Sequence, residues 1–332
     1  DRPRTVNLEI QSGREQVMGM ARLEAGEGWQ VSPEVIPFRL DIKGSQQSLQ
    51  FELTPPAGQV ESEVRAVVTL ADGEAYELEK KEIAYDHIPR QTIFTENKSK
   101  AVKVDLQKGG SRIGYIMGAG DDVPVSLVQA GYEVELLDVD NLSAESLMVY
   151  DAVVIGIRAY NTVDELRFKQ EQLFRYVEEG GTLVVQYQKS SRFDSRLVIP
   201  MEEIAPYELQ ITRDRVTVEE ADMTFLEPGH SVLNHPNQIG DQDFEGWVQE
   251  RGLYFAGEWD EEAWTPIFSC HDPGETAKKG SLLVARYGEG HYVYTGLSFF
   301  RQLPAGVPGA FRLFANILAL GQEEEAAGGR RR

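Results

Sequence analysis

Cysteine occurs once in the 332 residues, at position 270. A single thiol excludes an internal disulfide and a cysteine-based zinc site. Lysine is scarce too, 11 of the 33 basic residues against 22 arginines, counted along the chain. Basic residues as a whole are outnumbered by 54 acidic ones, for a net charge of −21. That balance argues against nucleic acid, whose phosphates need Lys and Arg. It suits either an acidic soluble surface or a salt-rich medium. No apolar run approaches the ~20 residues of a membrane span. No HExxH string or comparable ligand spacing is present. His230 and His235 are five apart in loop sequence, and His271 and His291 stand alone. Neither metal nor cofactor is expected. There is no signal peptide, and the chain opens at Asp1 rather than Met. The expectation is a processed or excised piece of a larger protein.

What is present divides the chain in two. From residue 1 to 90 apolar side chains alternate with polar ones: Val6, Leu8, Ile10; Phe38, Leu40, Ile42; Leu49, Phe51, Leu53; Val64, Ala66, Val68, Leu70. Glu27-Gly28, Lys43-Gly44, Pro55-Pro56 and Asp72-Gly73 punctuate the runs as turns. About seven short strands at this spacing predict an immunoglobulin-like β-sandwich, with Trp29 in its core. Residues 91–111 read as a connector, in which Val102, Val104 and Leu106 suit a strand of either neighbour.

At residue 112 the pattern changes to α/β. Residues 112–140 read strand, Gly-rich turn, helix, strand, with Asp121 and Asp122 as helix caps, Pro124 in the first turn and Gly131 at the end. Residues 152–157 form an uninterrupted apolar strand. A helix follows, opened by a Thr162/Glu165 capping box and closed by Gly180-Gly181. The next strand is 182–187. Together these predict a doubly wound, flavodoxin-like sheet over 112–321, with a disordered tail at 322–332. Ligands of such sheets sit beyond the carboxyl ends of the strands.

Three strand tips should meet there. They bring Asp121 and Asp122, then Arg158, Tyr160 and Asn161, then Gln186, Tyr187 and Gln188, with Arg213 and Arg301 reaching in from the irregular part. This hydrogen-bonding set suits a polyol or sugar. The competing account of Arg158, Arg213 and Arg215 is that of buried ion-pair partners. A nucleotide is disfavoured, because Gly118-Ala119-Gly120 lacks a third glycine and two carboxylates stand where pyrophosphate would lie. A Cys270–His271 nucleophile is disfavoured because neighbours in a strand point to opposite faces. Trp247, Tyr254, Trp259 and Trp264 serve either as core or as a stacking surface for sugar rings.

Gly28-Trp29-Gln30-Val31-Ser32-Pro33, Phe38 and residues 51–56 resemble the NEW3-type sandwich domains that accompany bacterial carbohydrate-active enzymes. The α/β part resembles class I glutamine amidotransferases and their ThuA-like relatives. Where the amidotransferases carry a cysteine in a sharp turn, this chain has Gln186-Tyr187-Gln188. Over residues 1–320 the chain resembles the region after the catalytic domain in large bacterial PIG-L (LmbE-like) proteins. The matching pieces are residues 115–124, 156–162, 243–252, 272–275 and 294–304. The deacetylase's zinc-binding His-Pro-Asp-Asp string is absent, His235-Pro236-Asn237 being the nearest approach. The resemblance implies a non-catalytic accessory region of an exported protein, outside the cytoplasm, with a PIG-L-type domain ahead of it. Its α/β part would bind or position a glycan. The alternatives are a hydrolase of sugar derivatives using Asp121, Asp122, Asp243 and Glu245, or a purely structural interaction module.

Overall fold

Period-two alternation gives the N-terminal strands one buried face, and that face decides their pairing. In the computed structural model, which describes residues 3–189 and 203–322, the strand Arg4–Gln11 pairs antiparallel with Gln46–Thr54. Val6 thereby faces Phe51 and Leu8 faces Leu49. Gln30–Ser32 adds to the other side of Gln46–Thr54. A second antiparallel sheet runs Ser99–Lys103, Val60–Leu70, Val17–Ala25, Ile36–Leu40. Leu49, Phe51 and Leu53 of the first sheet share a core with Ala21, Leu23, Phe38, Leu40 and Ala66 of the second, and Trp29 packs against it. The arrangement is sandwich-like.

The expected connector is mostly part of this unit. Gln91–Glu96 pairs with Leu78–Ile83 in a separate ribbon, and Ser99–Lys103 pairs with the start of Val60–Leu70. The chain divides into Asp1–Asp105 and Leu106–Arg332, so the boundary falls inside the expected connector rather than ahead of it. The physical reason is an open sheet edge at Val60–Leu70, which the alternating residues near 101–103 can satisfy.

In the second unit the main strands are β1 (Arg112–Ile116), β2 (Glu133–Leu136), β3 (Ala152–Ile155), β4 (Thr182–Gln186), β5 (Trp264–Pro266), β6 (Leu282–Tyr287) and β7 (Gly290–Thr295). They form one mixed sheet in the order β2-β1-β3-β4-β7-β6-β5. The first five in that order are parallel, while β6 runs antiparallel to both β7 and β5. Helices α1 (Val123–Gln129), α2 (Gln170–Glu178) and α3 (Pro308–Leu318) accompany it. Leu173, Tyr176 and Val177 of α2 pack on Leu183, Val185, Tyr292 and Tyr294.

One expected helix is broken. A single turn, Ala159–Thr162, is followed by extended Val163, a 3-10 segment Asp164–Phe168, and only then α2. The Thr162 hydroxyl donates to the Arg158 carbonyl at 3.0 Å instead of capping toward Glu165. The tail expected to be disordered lies, beyond Gln322, outside the described residues.

Candidate functional site

Parallel strands deliver their carboxyl ends to one edge. The tips there are 117–121 after β1, 156–158 after β3, 187–189 after β4 and 296–298 after β7. Between β1 and β3 these tips close on each other. Ala119 N–H donates to the Ile157 carbonyl at 2.9 Å, and Gly156 N–H to the Ile116 carbonyl at 2.8 Å. A Cβ on Gly118 would stand 2.2 Å from the Ile157 oxygen, so only glycine permits this approach.

Asp121 works inside the fold. Its Oδ1 accepts from the Tyr115 hydroxyl at 2.7 Å and from the Val123 N–H at 3.0 Å, the first amide of α1. Burial raises its carboxyl above the ordinary value, against the lowering effect of the Tyr115 hydroxyl and of the Val123 and Ile157 amides. The Gln186 amide donates to the same Tyr115 oxygen at 2.8 Å. Tyr115 thus links β1 to β4 past Gly156, where a Cβ would meet the ring at 3.1 Å. Asp122 is exposed, and its side chain makes no cap bond, contrary to expectation.

Other expected ligand groups are likewise consumed. Tyr160 is fully buried, with its hydroxyl donating to Gln170 Oε1 at 2.7 Å and its N–H to Gln188 Oε1 at 2.9 Å. Gln188 is also fully buried and donates to the Gln186 carbonyl at 2.8 Å. Asn161 clasps Lys189, donating to its carbonyl at 2.9 Å and accepting its N–H at 2.8 Å. These side chains build the support of the edge and are not offered to a ligand. Arg213 is exposed; its neighbours Thr212 and Asp214 bond the backbone of Phe255.

What remains at the edge is a smaller cluster around β3, β4 and β7. Arg158 stands in the left-handed region, at φ 57° and ψ 21°, between β3 and the turn that follows. Its N–H donates to the Tyr187 carbonyl at 2.9 Å. Its Nε is buried without a hydrogen-bond partner, and among the described residues its side chain forms no ion pair. The Tyr187 ring stacks on Tyr254 with centroids 5.6 Å apart and planes 10° apart, and lies 5.2 Å from Phe300. Tyr254 is the more exposed of the stacked pair. Burial raises the Tyr187 phenol, and the Arg158 and Arg301 charges pull it back. Arg301 lies 4.8 Å over the Phe300 ring and pairs through Nε with Glu250 Oε1 at 2.8 Å.

Four non-glycine residues have positive φ among those described, and three of them belong here: Arg158, Gln249 at 68° and Tyr254 at 54°. Such backbone costs on the order of 1–3 kcal/mol per residue and collects at functional sites. Glu250 and Phe300 were missed as site residues, and Tyr254 was weighed only with the tryptophans, as core or as a stacking surface for sugar rings. The readable signal for Phe300 was β7, a strand that ends at Thr295 and runs into Phe299-Phe300-Arg301; counting it as parallel would have brought Phe300 to the edge.

The tryptophans do not form one cluster. Trp264 is buried against Tyr292 and donates to the Glu208 carbonyl, and Trp259 packs on the same core. Trp247 packs instead with Phe244 and Phe299. Arg251 is buried over Phe244 and Trp247, bonded to the Ala221 and Phe244 carbonyls. Asp243 is 3% exposed, accepting the Gly240 N–H and lying 3.4 Å from Arg312, whereas Glu245 is exposed. Cys270 is buried, which pushes its thiol up to about 11, while His271 is exposed. His230 accepts the Val232 N–H as a helix cap. Among the described residues no group of three or more His, Cys, Asp or Glu is placed to hold a metal, and no helix is long and apolar enough to cross a membrane.

No protein-family model and no curated protein matches the chain. Solved structures similar to it include a Thermoplasma acidophilum protein provisionally assigned as one subunit of a GMP synthase, at 10% identity and TM-score 0.41, covering 66% of this chain and 100% of that one. A cytoplasmic protein from Salmonella typhimurium LT2 shows 16% identity and TM-score 0.40, covering 72% and 95%. A provisionally assigned ThuA-like protein from Bacteroides uniformis shows 12% identity and TM-score 0.38, covering 65% and 92%.

Proposed function

We propose that the α/β unit is a non-catalytic glycan-binding module whose ligand sits at the carboxyl edge of the sheet, against Arg158, Tyr254 and the Arg301–Glu250 pair. The observation that carries this reading is the convergence of three left-handed non-glycine residues on one cluster in which Arg158 has no ion-pair partner among the described residues. Backbone strain kept at a polar, aromatic edge is better explained by a ligand than by packing. Its non-catalytic character is supported by Gln186, Tyr187 and Gln188 standing where amidotransferases carry cysteine, and by a buried Cys270. The order of the five parallel strands supports a flavodoxin-type sheet. The two antiparallel sheets with a shared core support an immunoglobulin-like, NEW3-type sandwich as spacer or docking surface. We place the region after a PIG-L-type domain in an exported parent protein, on the strength of the motif runs at 115–124, 156–162, 243–252, 272–275 and 294–304.

A glycan array probed with the full chain tests the binding claim, followed by calorimetry on any hit. Binding should be weakened in Arg158→Gly and in Tyr254→Ala. If the intact chain binds no saccharide, the reading fails. The closed β1–β3 crevice would then favour the second reading, a structural interaction module.

A further inference from the structure

We infer that the saccharide bound at this edge is an acidic one, its carboxylate taken by Arg158. This rests on the glycan-binding reading and adds the chemistry that selects among glycans. Counter-ions for a cation are plentiful in this chain. Acidic residues outnumber basic ones 54 to 33, and partners are easily found: Arg14 with Asp72, Arg39 with Asp41, Lys100 with Glu61, Arg175 with Glu179. Arg301 of the edge cluster has Glu250, whose side chain is only 14% exposed. Arg158 is the exception at this edge. It is half-buried, its Nε is shut away without an acceptor, and among the described residues no carboxylate pairs with it. A partly desolvated guanidinium with no anion among the described residues is unfavourable, and its two terminal nitrogens, beyond the buried Nε, match a carboxylate in two-point contact.

The same arrangement limits the charge of the ligand. Among the described residues Arg158 has no carboxylate partner, whereas Arg301 is paired with Glu250. The helical turn that follows Arg158 has only four residues, too short to add an anion-binding helix end. Glu250 and a net charge of −21 disfavour a doubly charged phosphate. A singly charged carboxylate on a ring sugar fits all three conditions. The ring would lie on Tyr254, which is itself backed by Tyr187. The Glu250 carboxylate, oriented by Arg301, would accept hydroxyl donors of the sugar.

The test is a glycan array carrying uronate-containing saccharides beside their carboxyl-reduced, neutral forms, with calorimetry of the full chain on the tightest pair. The acidic form should bind at least ~10-fold more tightly, the size expected of one charged hydrogen bond. Arg158→Gly should abolish the preference while far-UV circular dichroism and the urea midpoint report an intact fold. Arg158→Lys should keep part of it. Equal affinity for both forms, or a preference that survives Arg158→Gly, overturns the inference and leaves glycan binding standing. Binding to neither form overturns both.

Discussion

Arg158 combines two costs that a purely structural residue would have shed. Its left-handed backbone disfavours any side chain with a Cβ by about 1–2 kcal/mol, and its Nε has no acceptor. Arg158→Gly should therefore hold or raise the urea midpoint while the proposed binding of an acidic glycan weakens; a fall in both would assign Arg158 to the fold. Tyr160 behaves in the opposite way. Its hydroxyl serves the buried Gln170 amide, which itself donates to the Ile204 carbonyl. Tyr160→Phe should cost about 1–2 kcal/mol in urea denaturation through the stranded amide oxygen, with the proposed glycan binding unchanged. Asp272 gives a pH signature. Burial pushes its carboxyl up, but the Thr217 and Val218 amides and the Thr217 hydroxyl outweigh it and hold it below the ordinary value. A depressed carboxyl contributes stability above its unfolded value of about 3.9, and that stability is lost as pH falls through the folded value. Asp272→Asn should accordingly be less stable than the parent at neutral pH, with the gap closing in strong acid. A gap that is constant with pH would show that the carboxylate charge plays no part.

Elements meet at this edge through glycines. Gly118 lets the tip of β1 touch the segment after β3, where a methyl group would stand 2.2 Å from the Ile157 oxygen and 2.6 Å from the Ala159 nitrogen. Backbone cannot rotate away as a side chain does. Gly118→Ala should destabilise by at least ~1–3 kcal/mol in chemical denaturation. It should also weaken the proposed glycan binding, because Arg158 sits on the displaced segment. An alanine variant of native stability would mean that the crevice between β1 and β3 opens freely. The helix expected from Thr162 shows how local signals mislead here. Thr162 and Glu165 have capping-box spacing, yet Val163 is extended and α2 begins only at Gln170. The tip that carries Arg158 and Asn161 needs that interruption, since Asn161 must reach Lys189.

Charge is a property of the whole chain. At −21, self-repulsion acts on the folded state, and most of the ion pairs join exposed side chains that contribute little each. Salt shortens the reach of that repulsion from about 30 Å at 0.01 M to about 10 Å at 0.1 M. The thermal midpoint should therefore rise between low salt and about 0.5 M sodium chloride, measured by calorimetry at neutral pH. A midpoint that falls would show that attractive pairs outweigh the excess acid.

The two kinds of unit, and most of their strands, were legible along the chain because they depend on local periodicity. Alternation marked Val6–Ile10 and Leu49–Leu53, continuous apolar runs marked β3 and β4, and glycines marked the turns. The edge at which the parallel strands end was legible too, since parallel strands point the same way. Which polar groups remain for a ligand was decided only in three dimensions. Gln186, Gln188 and Tyr160 look like binding groups in sequence, yet the Gln186 amide nitrogen, Gln188 and Tyr160 are bonded to Tyr115, to the Gly156 and Gln186 carbonyls and to Gln170, and the Gln186 Oε1 is buried. Tyr254, Glu250 and Phe300 lie in irregular sequence, and reach the edge through the ladder of Gly252–Leu253 with Arg215–Val216 and through the chain leaving β7. A side chain's chemistry is local, but whether it is already satisfied depends on partners scores of residues away, and only the folded chain brings those together.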